Sequence, residues 1–135
     1  INKNHSFELV KNDFANVYGD PFLIRQCIGI FLDNAIKYTP AGGKITVSSK
    51  NDGGIVHLRI ADNGIGIAPE NIPKIFDKFF RVKDTSLSHV DGGGLGLSIA
   101  KWIADNHDIK IDVESELGKG TTFILTIKEA PIPLD

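Results

Sequence analysis

Strict alternation of apolar and polar residues is the feature that most constrains the fold of this chain. Val56, Leu58 and Ile60 fall on one face of a predicted strand, because successive side chains of a strand point to opposite faces. The same alternation recurs at Ile45 and Val47, at Ile109, Ile111 and Val113, and at Phe123, Leu125 and Ile127, with a weaker strand near residues 7–10. Each strand has one apolar face, so the sheet needs a covering layer on that face only.

Two segments with helical periodicity can supply this layer. The first begins at Asp20, a favourable N-cap that precedes a proline, and ends near Tyr38. The second spans about residues 95–106, and a shorter helix is predicted over 70–76. The apolar stripe of the second helix is predicted to be Leu95, Ile99, Trp102 and Ile103. We therefore expect an α+β domain: a two-layer α/β sandwich with a mixed, mostly antiparallel sheet and its helices on one face.

Composition excludes several classes of protein. The 135 residues include 15 basic and 17 acidic side chains, and this balance does not favour nucleic acid or an acidic membrane as the main partner. One cysteine excludes an intrachain disulfide, and no apolar run approaches the roughly 20 residues of a membrane-spanning helix. The length of 135 residues predicts a single domain over 1–135, with a C-terminal tail at 130–135. Because the chain lacks Met and begins at Ile1, we expect this domain to be cut from a longer protein.

The segment after the strand at 55–60 holds the first candidate site. Asp62 continues the inward face of that strand, where an ionised carboxylate would accept a hydrogen bond from an exocyclic amine such as that of adenine. Gly64 and Gly66 let the backbone turn sharply and approach a flat ligand. The same residues also fit an ordinary turn in which Asp62 caps local amides, so both interpretations stay open on these residues alone.

Asn34 and Lys37 form a second candidate site near the end of the first helix. They lie three residues apart and therefore on one helical face. An amide oxygen there could ligate Mg²⁺, and an ammonium could contact phosphate oxygens. The alternative is the polar edge of an amphipathic helix, with Lys37 as an ordinary C-terminal charge.

A glycine-rich run opens the second helix, with glycines at 92, 93, 94 and 96. Backbone N–H groups at a helix start bind anions, and glycines let a phosphate come close; the alternative is a flexible hinge. The preceding residues, from 82 onward, lack periodicity, which predicts a mobile functional loop. At its mouth, aromatic residues including Phe80 adjoin Arg81, which could reach a phosphate or simply lie on the surface beside an aromatic cluster.

The order of these segments strongly resembles the catalytic ATP-binding domain of bacterial sensor histidine kinases. Residues 33–38, 62–66, 76–80, 92–97 and 118–123 look like the N, G1, F, G2 and G3 boxes of that family, in the family's order. The resemblance covers about residues 7–127. It implies the Bergerat-type ATP-binding fold shared with DNA gyrase B, mismatch-repair and heat-shock-chaperone ATPases, with ATP between helices and sheet under a mobile lid.

The resemblance also implies roles for individual residues. Asp62 would hold the adenine amino group, Asn34 would hold Mg²⁺, and Lys37 and Arg81 would act with Asn34 on the phosphates as catalytic residues. The other nucleotide contacts that it implies are Tyr38, Gly64, Gly66, Ile67, Phe80, Gly92, Gly94, Leu95, Gly96, Leu97 and Thr122. ATP and Mg²⁺ are the implied cofactors. The γ-phosphate would pass to a histidine on a separate dimerisation domain, and the receiver domain of a response regulator is the further implied partner.

Two departures from the family pattern bear on mechanism. Ile30 stands where hydrolytic relatives carry a Glu general base, and isoleucine cannot activate water, which argues against a gyrase-like hydrolase. The four histidines lack the context of the family's phosphoacceptor, so the dimerisation domain is expected to be absent from this chain. The alternatives are a non-catalytic nucleotide-binding module and a serine kinase of the anti-sigma-factor type. The resemblance implies a cytoplasmic domain with no direct membrane contact, whose parent could be anchored in the inner membrane.

Overall fold

A five-stranded sheet forms one layer of the structure, a computed structural model that describes the backbone of residues 6–12 and all of residues 19–78 and 95–129. Its strands are β1 (Ser6–Asn12), β2 (Lys44–Asp52), β3 (Ile55–Asp62), β4 (Lys110–Glu116) and β5 (Gly120–Lys128), in the spatial order β1-β2-β3-β5-β4. β1 runs parallel to β2, and the other neighbouring pairs are antiparallel. The predicted mixed, mostly antiparallel sheet is confirmed, as is the weak first strand.

The turn between β2 and β3 fixes the register of the central strands. Gly53 and Gly54 have φ angles of 65° and 95°, which a two-residue hairpin turn requires and which glycine adopts without strain. The Asn51 side chain accepts a hydrogen bond from the Gly54 N–H at 3.0 Å. The resulting register pairs Val47 with Ile60, so apolar residues of neighbouring strands lie side by side on one face.

Two helices cover that face. Helix α1 (Pro21–Tyr38) begins at the predicted N-cap, where the Asp20 carboxylate accepts hydrogen bonds from the first turn, including one of 2.9 Å from the Phe22 N–H. Helix α2 is Gly96–Asn106. The rings of Phe31 on α1 and Phe123 on β5 are both fully buried, with centroids 4.8 Å apart. Burial of a side chain of this size contributes about 1.5–3 kcal/mol, so this contact anchors the helix layer to the sheet.

The predicted apolar stripe of α2 is wrong for three of its four members. Ile103 is buried, but Leu95, Ile99 and Trp102 are 38%, 40% and 59% exposed. The buried face of α2 instead consists of Ala100, Ile103 and Ala104. Small residues face α1 because the two helices approach closely, as the 3.5 Å contact from Cys27 Sγ on α1 to the carbonyl oxygen of Ala100 shows.

Other predictions for the connecting segments have mixed outcomes. The helix predicted over 70–76 is a single 3₁₀ turn, Ile72–Lys74, because Pro73 has no N–H to donate to an α-helical hydrogen bond. The predicted lid at 82–93 and tail at 130–135 lie outside the described residues. Within the described part of the chain, neither helix has the length and apolarity that crossing a membrane requires.

His107 joins the ends of the two helices. Its Nε2 accepts a hydrogen bond from the Asp20 N–H at 3.2 Å, and its Nδ1 lies 2.8 Å from the Ile103 carbonyl oxygen. Because a carbonyl only accepts, Nδ1 is the protonated nitrogen in this arrangement. The next residue, Asp108, has a φ of 54°, the left-handed conformation that glycine usually supplies at the end of a helix.

Candidate functional site

Asp62 lies where the sequence predicted it, on the core face at the end of β3. Its strand neighbours in that row are Ile45 on β2 and Thr121 on β5. One carboxylate oxygen, Oδ1, accepts hydrogen bonds from the N–H groups of Gly64 at 2.9 Å and Thr121 at 3.3 Å. These two main-chain contacts fix the orientation of the carboxylate.

The loop after Asp62 requires glycine for two different reasons. Gly64 is buried, and a Cβ at this position would fall on the carbonyl oxygen of Tyr38 and 2.9 Å from Thr39 Oγ1. Gly66 has a φ of 73°, and a Cβ there would collide with the carbonyl oxygen of Glu116. Both glycines therefore hold the loop against its neighbours, as a close approach of backbones demands.

Hydrogen bonds tie this loop to α1 on one side and to the β4–β5 turn on the other. The Ile65 N–H donates to the Tyr38 carbonyl at 3.2 Å, and the Gly118 N–H donates to the Ile65 carbonyl at 2.7 Å. The Ile67 N–H donates to Ser115 Oγ at 2.8 Å. The loop, the last turn of α1 and the β4–β5 turn thus form one rigid corner around Asp62.

Ser115 and Thr121 lie beside Asp62 in the sheet, and the sequence analysis did not single them out. Their hydroxyl oxygens lie 2.8 Å apart on the Asp62 face, and both residues line an open cavity of about 350 Å³ together with Asp62. Thr122, the predicted contact, also borders this cavity, but it pairs with Ala61, so strand alternation turns its side chain to the opposite face. The register places Thr121, and not Thr122, beside Asp62 on the core face, and the nucleotide contact of Thr122 stays a prediction.

The polar residues of α1 are accessible. Asn34 and Tyr38 are half-buried, and Lys37 Nζ lies 3.2 Å from Asp33 Oδ2, with the two side chains 32% and 62% exposed. An ion pair this exposed contributes only about 0.3–0.5 kcal/mol. Among the described residues, no group of three or more His, Cys, Asp or Glu side chains could hold a metal ion.

Ile30 makes an apolar contact at the junction of the two helices. It is partly buried against the core, and its Cγ2 is 3.5 Å from where a Cβ on Gly96 would lie. A hydrocarbon side chain, which cannot act as a general base, therefore lies next to the start of α2.

The start of α2 has the features of an anion site. Leu95 is its N-cap and has no side-chain acceptor for the N–H groups of the first turn, and that turn contains no acidic residue. The N–H groups of a first turn lack intrahelical partners and favour a negative charge. Leu97 packs on the core and holds the turn in place. Four other predicted contacts, Phe80, Arg81, Gly92 and Gly94, lie outside the described residues.

Comparison with known proteins agrees with this geometry. The family model described as "Histidine kinase-, DNA gyrase B-, and HSP90-like ATPase" matches residues 19–131. The chain is 42% identical over 118 residues to the sensor-like histidine kinase SenX3 of Mycolicibacterium smegmatis, and the match covers 87% of this chain and 30% of SenX3. The chain thus spans less than a third of the length of the curated relatives it matches.

Two solved structures are also similar. The mycobacterial sensor histidine kinase MprB superposes with a TM-score of 0.81 at 29% identity, covering 96% of this chain and 85% of MprB. Full-length ShkA in complex with AMPPNP superposes with a TM-score of 0.79 at 29% identity, covering 98% of this chain and 27% of ShkA. The predicted α+β sandwich is confirmed, and it is the fold of the matched regions of these two proteins.

Proposed function

Because this chain belongs to the histidine kinase-, DNA gyrase B- and HSP90-like ATPase family, we propose that it is the ATP-binding catalytic domain of a sensor histidine kinase. Its reaction would be transfer of the γ-phosphate of ATP to a histidine outside this domain. The proposal treats residues 1–135 as one domain, with the acceptor on a separate dimerisation domain. A receiver domain of a response regulator would then take the phosphate from that histidine.

The rigid corner around Asp62 is the observation that carries the proposal. A carboxylate held by two main-chain N–H groups, at 2.9 and 3.3 Å, is an acceptor in a fixed direction. It therefore suits the exocyclic amine of adenine. Gly64 and Gly66 bring the adjoining loop close to α1 and β4, and a flat base could lie beside this loop.

The phosphates would lie between α1 and the start of α2. Lys37 and the N–H groups near Leu95, Gly96 and Leu97 would contact their oxygens. Asn34 would hold Mg²⁺ through its amide oxygen, since this ion takes few protein ligands and completes its octahedron with phosphate oxygens and water. Bound Mg²⁺ would neutralise the negative charge that develops during phosphoryl transfer. Arg81, Phe80, Gly92 and Gly94 would supply further contacts from the segment that precedes α2 in the sequence.

The chemistry of the site favours transfer to a supplied nucleophile over hydrolysis. Ile30 packs beside Gly96 and cannot accept a proton from water. A histidine brought by the partner domain is its own nucleophile, so the site needs only to position ATP and stabilise charge. No observation on the described residues favours a non-catalytic module or an anti-sigma-type serine kinase.

The outer side of α2 offers a surface for the acceptor domain. Leu95, Ile99 and Trp102 lie three and four residues apart and form an exposed apolar strip next to the proposed phosphate site. Exposed apolar residues that cluster in this way mark interaction sites. The matched region is 30% of SenX3, so a longer relative has room for further domains. We propose that the dimerisation domain of this chain's own parent protein covers the strip.

Calorimetric titration of ATP with Mg²⁺ into the wild type and Asp62→Asn tests the proposal. The amide oxygen of Asn can still accept from Gly64 and Thr121, so the variant should fold, but its NH₂ group would oppose the adenine amine. Loss of a hydrogen bond to a charged group weakens binding roughly 10- to 150-fold. The control is Asp112→Asn, whose carboxylate is 49% exposed and 3.8 Å from Lys110 Nζ, and it should bind like the wild type.

A second arm tests the transfer step. The chain is mixed with the dimerisation domain of its parent protein and γ-labelled ATP, and label is measured on histidine. The proposal requires label with the wild type and little with Asp62→Asn. ATP binding without any label on the acceptor histidine would favour the non-catalytic module instead.

A further inference from the structure

We infer that Ser115 is a positioning residue that makes the Asp62 corner selective for amino-purines over oxo-purines. The inference rests on the proposed function, because it concerns how the same site recognises the base. Ser115 would act through Thr121, by determining whether the Thr121 hydroxyl donates or accepts a hydrogen bond.

The hydroxyl group of Ser115 has three polar neighbours. Ser115 Oγ lies 2.8 Å from the Ile67 nitrogen, 3.0 Å from the Gly120 carbonyl oxygen and 2.8 Å from Thr121 Oγ1. A serine hydroxyl has one proton to donate and two lone pairs to accept with. Three polar neighbours therefore use its full capacity.

Only one assignment of protons satisfies all three contacts. The Ile67 N–H can only donate, so it uses a lone pair of Ser115. The Gly120 carbonyl can only accept, so it takes the single Ser115 proton. The remaining contact then requires Thr121 to donate to Ser115. If Ser115 donated to Thr121 instead, lone pairs of Ser115 and the Gly120 carbonyl would face each other at 3.0 Å.

As a consequence, the side chains of Asp62 and Thr121 can only accept hydrogen bonds from a ligand. The Thr121 proton is committed to Ser115, so Thr121 Oγ1 presents lone pairs to any ligand. Its neighbour Asp62, 3.3 Å from the Thr121 nitrogen, is a carboxylate and also accepts. In the orientation that the proposed function gives the base, its position-6 group faces Asp62, and there the amino group of adenine donates whereas the oxygen of hypoxanthine only accepts. The corner therefore favours ATP over ITP, and the hydroxyl of Ser115 contributes to this preference.

The test compares the dissociation constants of ATP and ITP, each with Mg²⁺, for the wild type and Ser115→Ala. Removing Ser115 Oγ frees the Thr121 proton, which can then be donated to the purine oxygen. The ratio Kd(ITP)/Kd(ATP) should fall by about three- to tenfold, the range that one neutral hydrogen bond spans. Ser115→Thr keeps a hydroxyl and should restore the ratio. Thr126→Val removes a hydroxyl from the opposite face of β5, 3.4 Å from His57, and should leave the ratio unchanged.

A double-mutant cycle shows whether Ser115 acts through Thr121. In a Thr121→Val background no hydroxyl remains to be reoriented, so adding Ser115→Ala should no longer change the ratio. If Ser115→Ala weakens ATP and ITP by the same factor, Ser115 only supports the loop and the inference is overturned.

Two further outcomes keep the proposal separate from folding and from the proposed function. If Ser115→Ala fails to fold, the dissociation constants of Thr121→Val decide between the outcomes. The inference expects this variant to weaken ATP binding more than ITP binding. A larger loss for ITP would contradict it. If the wild type binds neither nucleotide, the proposed function itself fails, and the selectivity inference fails with it.

Discussion

Gly64→Ala is the substitution whose effect the structure determines most closely. The added Cβ would fall on the carbonyl oxygen of Tyr38, 2.9 Å from Thr39 Oγ1 and 3.0 Å from Asp62 Oδ1. The Tyr38 carbonyl belongs to the last turn of α1 and cannot swing aside as a flexible side chain would. The loop must therefore move away from α1 as a unit.

This movement has a calculable cost. Overpacking a buried site costs about 1–3 kcal/mol. The shift also weakens the 3.2 Å hydrogen bond from Ile65 to Tyr38 and the 2.9 Å bond from Gly64 to Asp62, at about 0.5–1.5 kcal/mol each. The sum is about 2–6 kcal/mol. For 135 residues the entropy of unfolding is about 0.3 kcal/mol per degree, so Tm should fall by roughly 7–20 °C.

Thermal denaturation followed by circular dichroism measures this change, and calorimetry at a temperature where the variant is folded measures ATP binding. Binding should weaken at least about tenfold, because Asp62 loses one of its two orienting N–H groups. Gly29→Ala is the matched control: it adds the same methyl group inside α1, where nothing lies within 4 Å. That variant should be more stable by about 0.5–1 kcal/mol. A Tm for Gly64→Ala within 2 °C of the wild type would refute the packing argument.

Three other predictions follow from individual side chains. Burial raises the pKa of the Cys27 thiol from 9.0 to about 11, so this thiol ionises at lower pH in the unfolded state than in the folded state. The free energy of unfolding should therefore fall as pH rises from about 9 to 11, by up to about 1.4 kcal/mol per pH unit. Urea unfolding of Cys27→Ala should lack this pH dependence, and equal slopes of free energy against pH in the two proteins would contradict the prediction. Asp108→Gly should raise the urea midpoint by the equivalent of about 0.5–1 kcal/mol, because glycine removes the strain at φ 54°, and a lower midpoint would show that Asp108 stabilises the turn. Trp102→Ala should leave ATP binding within twofold but reduce phosphorylation of the acceptor domain, and unchanged phosphorylation would exclude the α2 strip as its contact.

Much of the fold could be predicted because it depends on local patterns. Alternation at Val56, Leu58 and Ile60 determines both the strand and its inward face, and the pair Asp20 and Pro21 determines where α1 begins. Asp62 inherits its direction from the same alternation, so the centre of the candidate site followed from counting along one strand.

The buried face of α2 could not be predicted in this way. Leu95, Ile99 and Trp102 are larger and more apolar than Ala100 and Ala104, so hydrophobicity alone selects the wrong face. The face that is buried depends on how closely α1 approaches, which is a property of the packed pair and not of either helix. Small residues face a close neighbour, while large apolar residues that stay exposed point to a partner outside the domain.

The choice between Thr121 and Thr122 shows where sequence reasoning about a site breaks down. Both threonines follow the same glycine turn, and the motif alone gives no reason to prefer either. The antiparallel register pairs Asp62 with Thr121, and a shift of one residue reverses the face of every side chain on the strand. The register also places the Ser115 side chain on this face, because Ser115 on β4 pairs with Thr121 on β5. The residues that pair across β3, β5 and β4 are not adjacent in the sequence, yet their register determines which hydroxyls lie at the corner around Asp62.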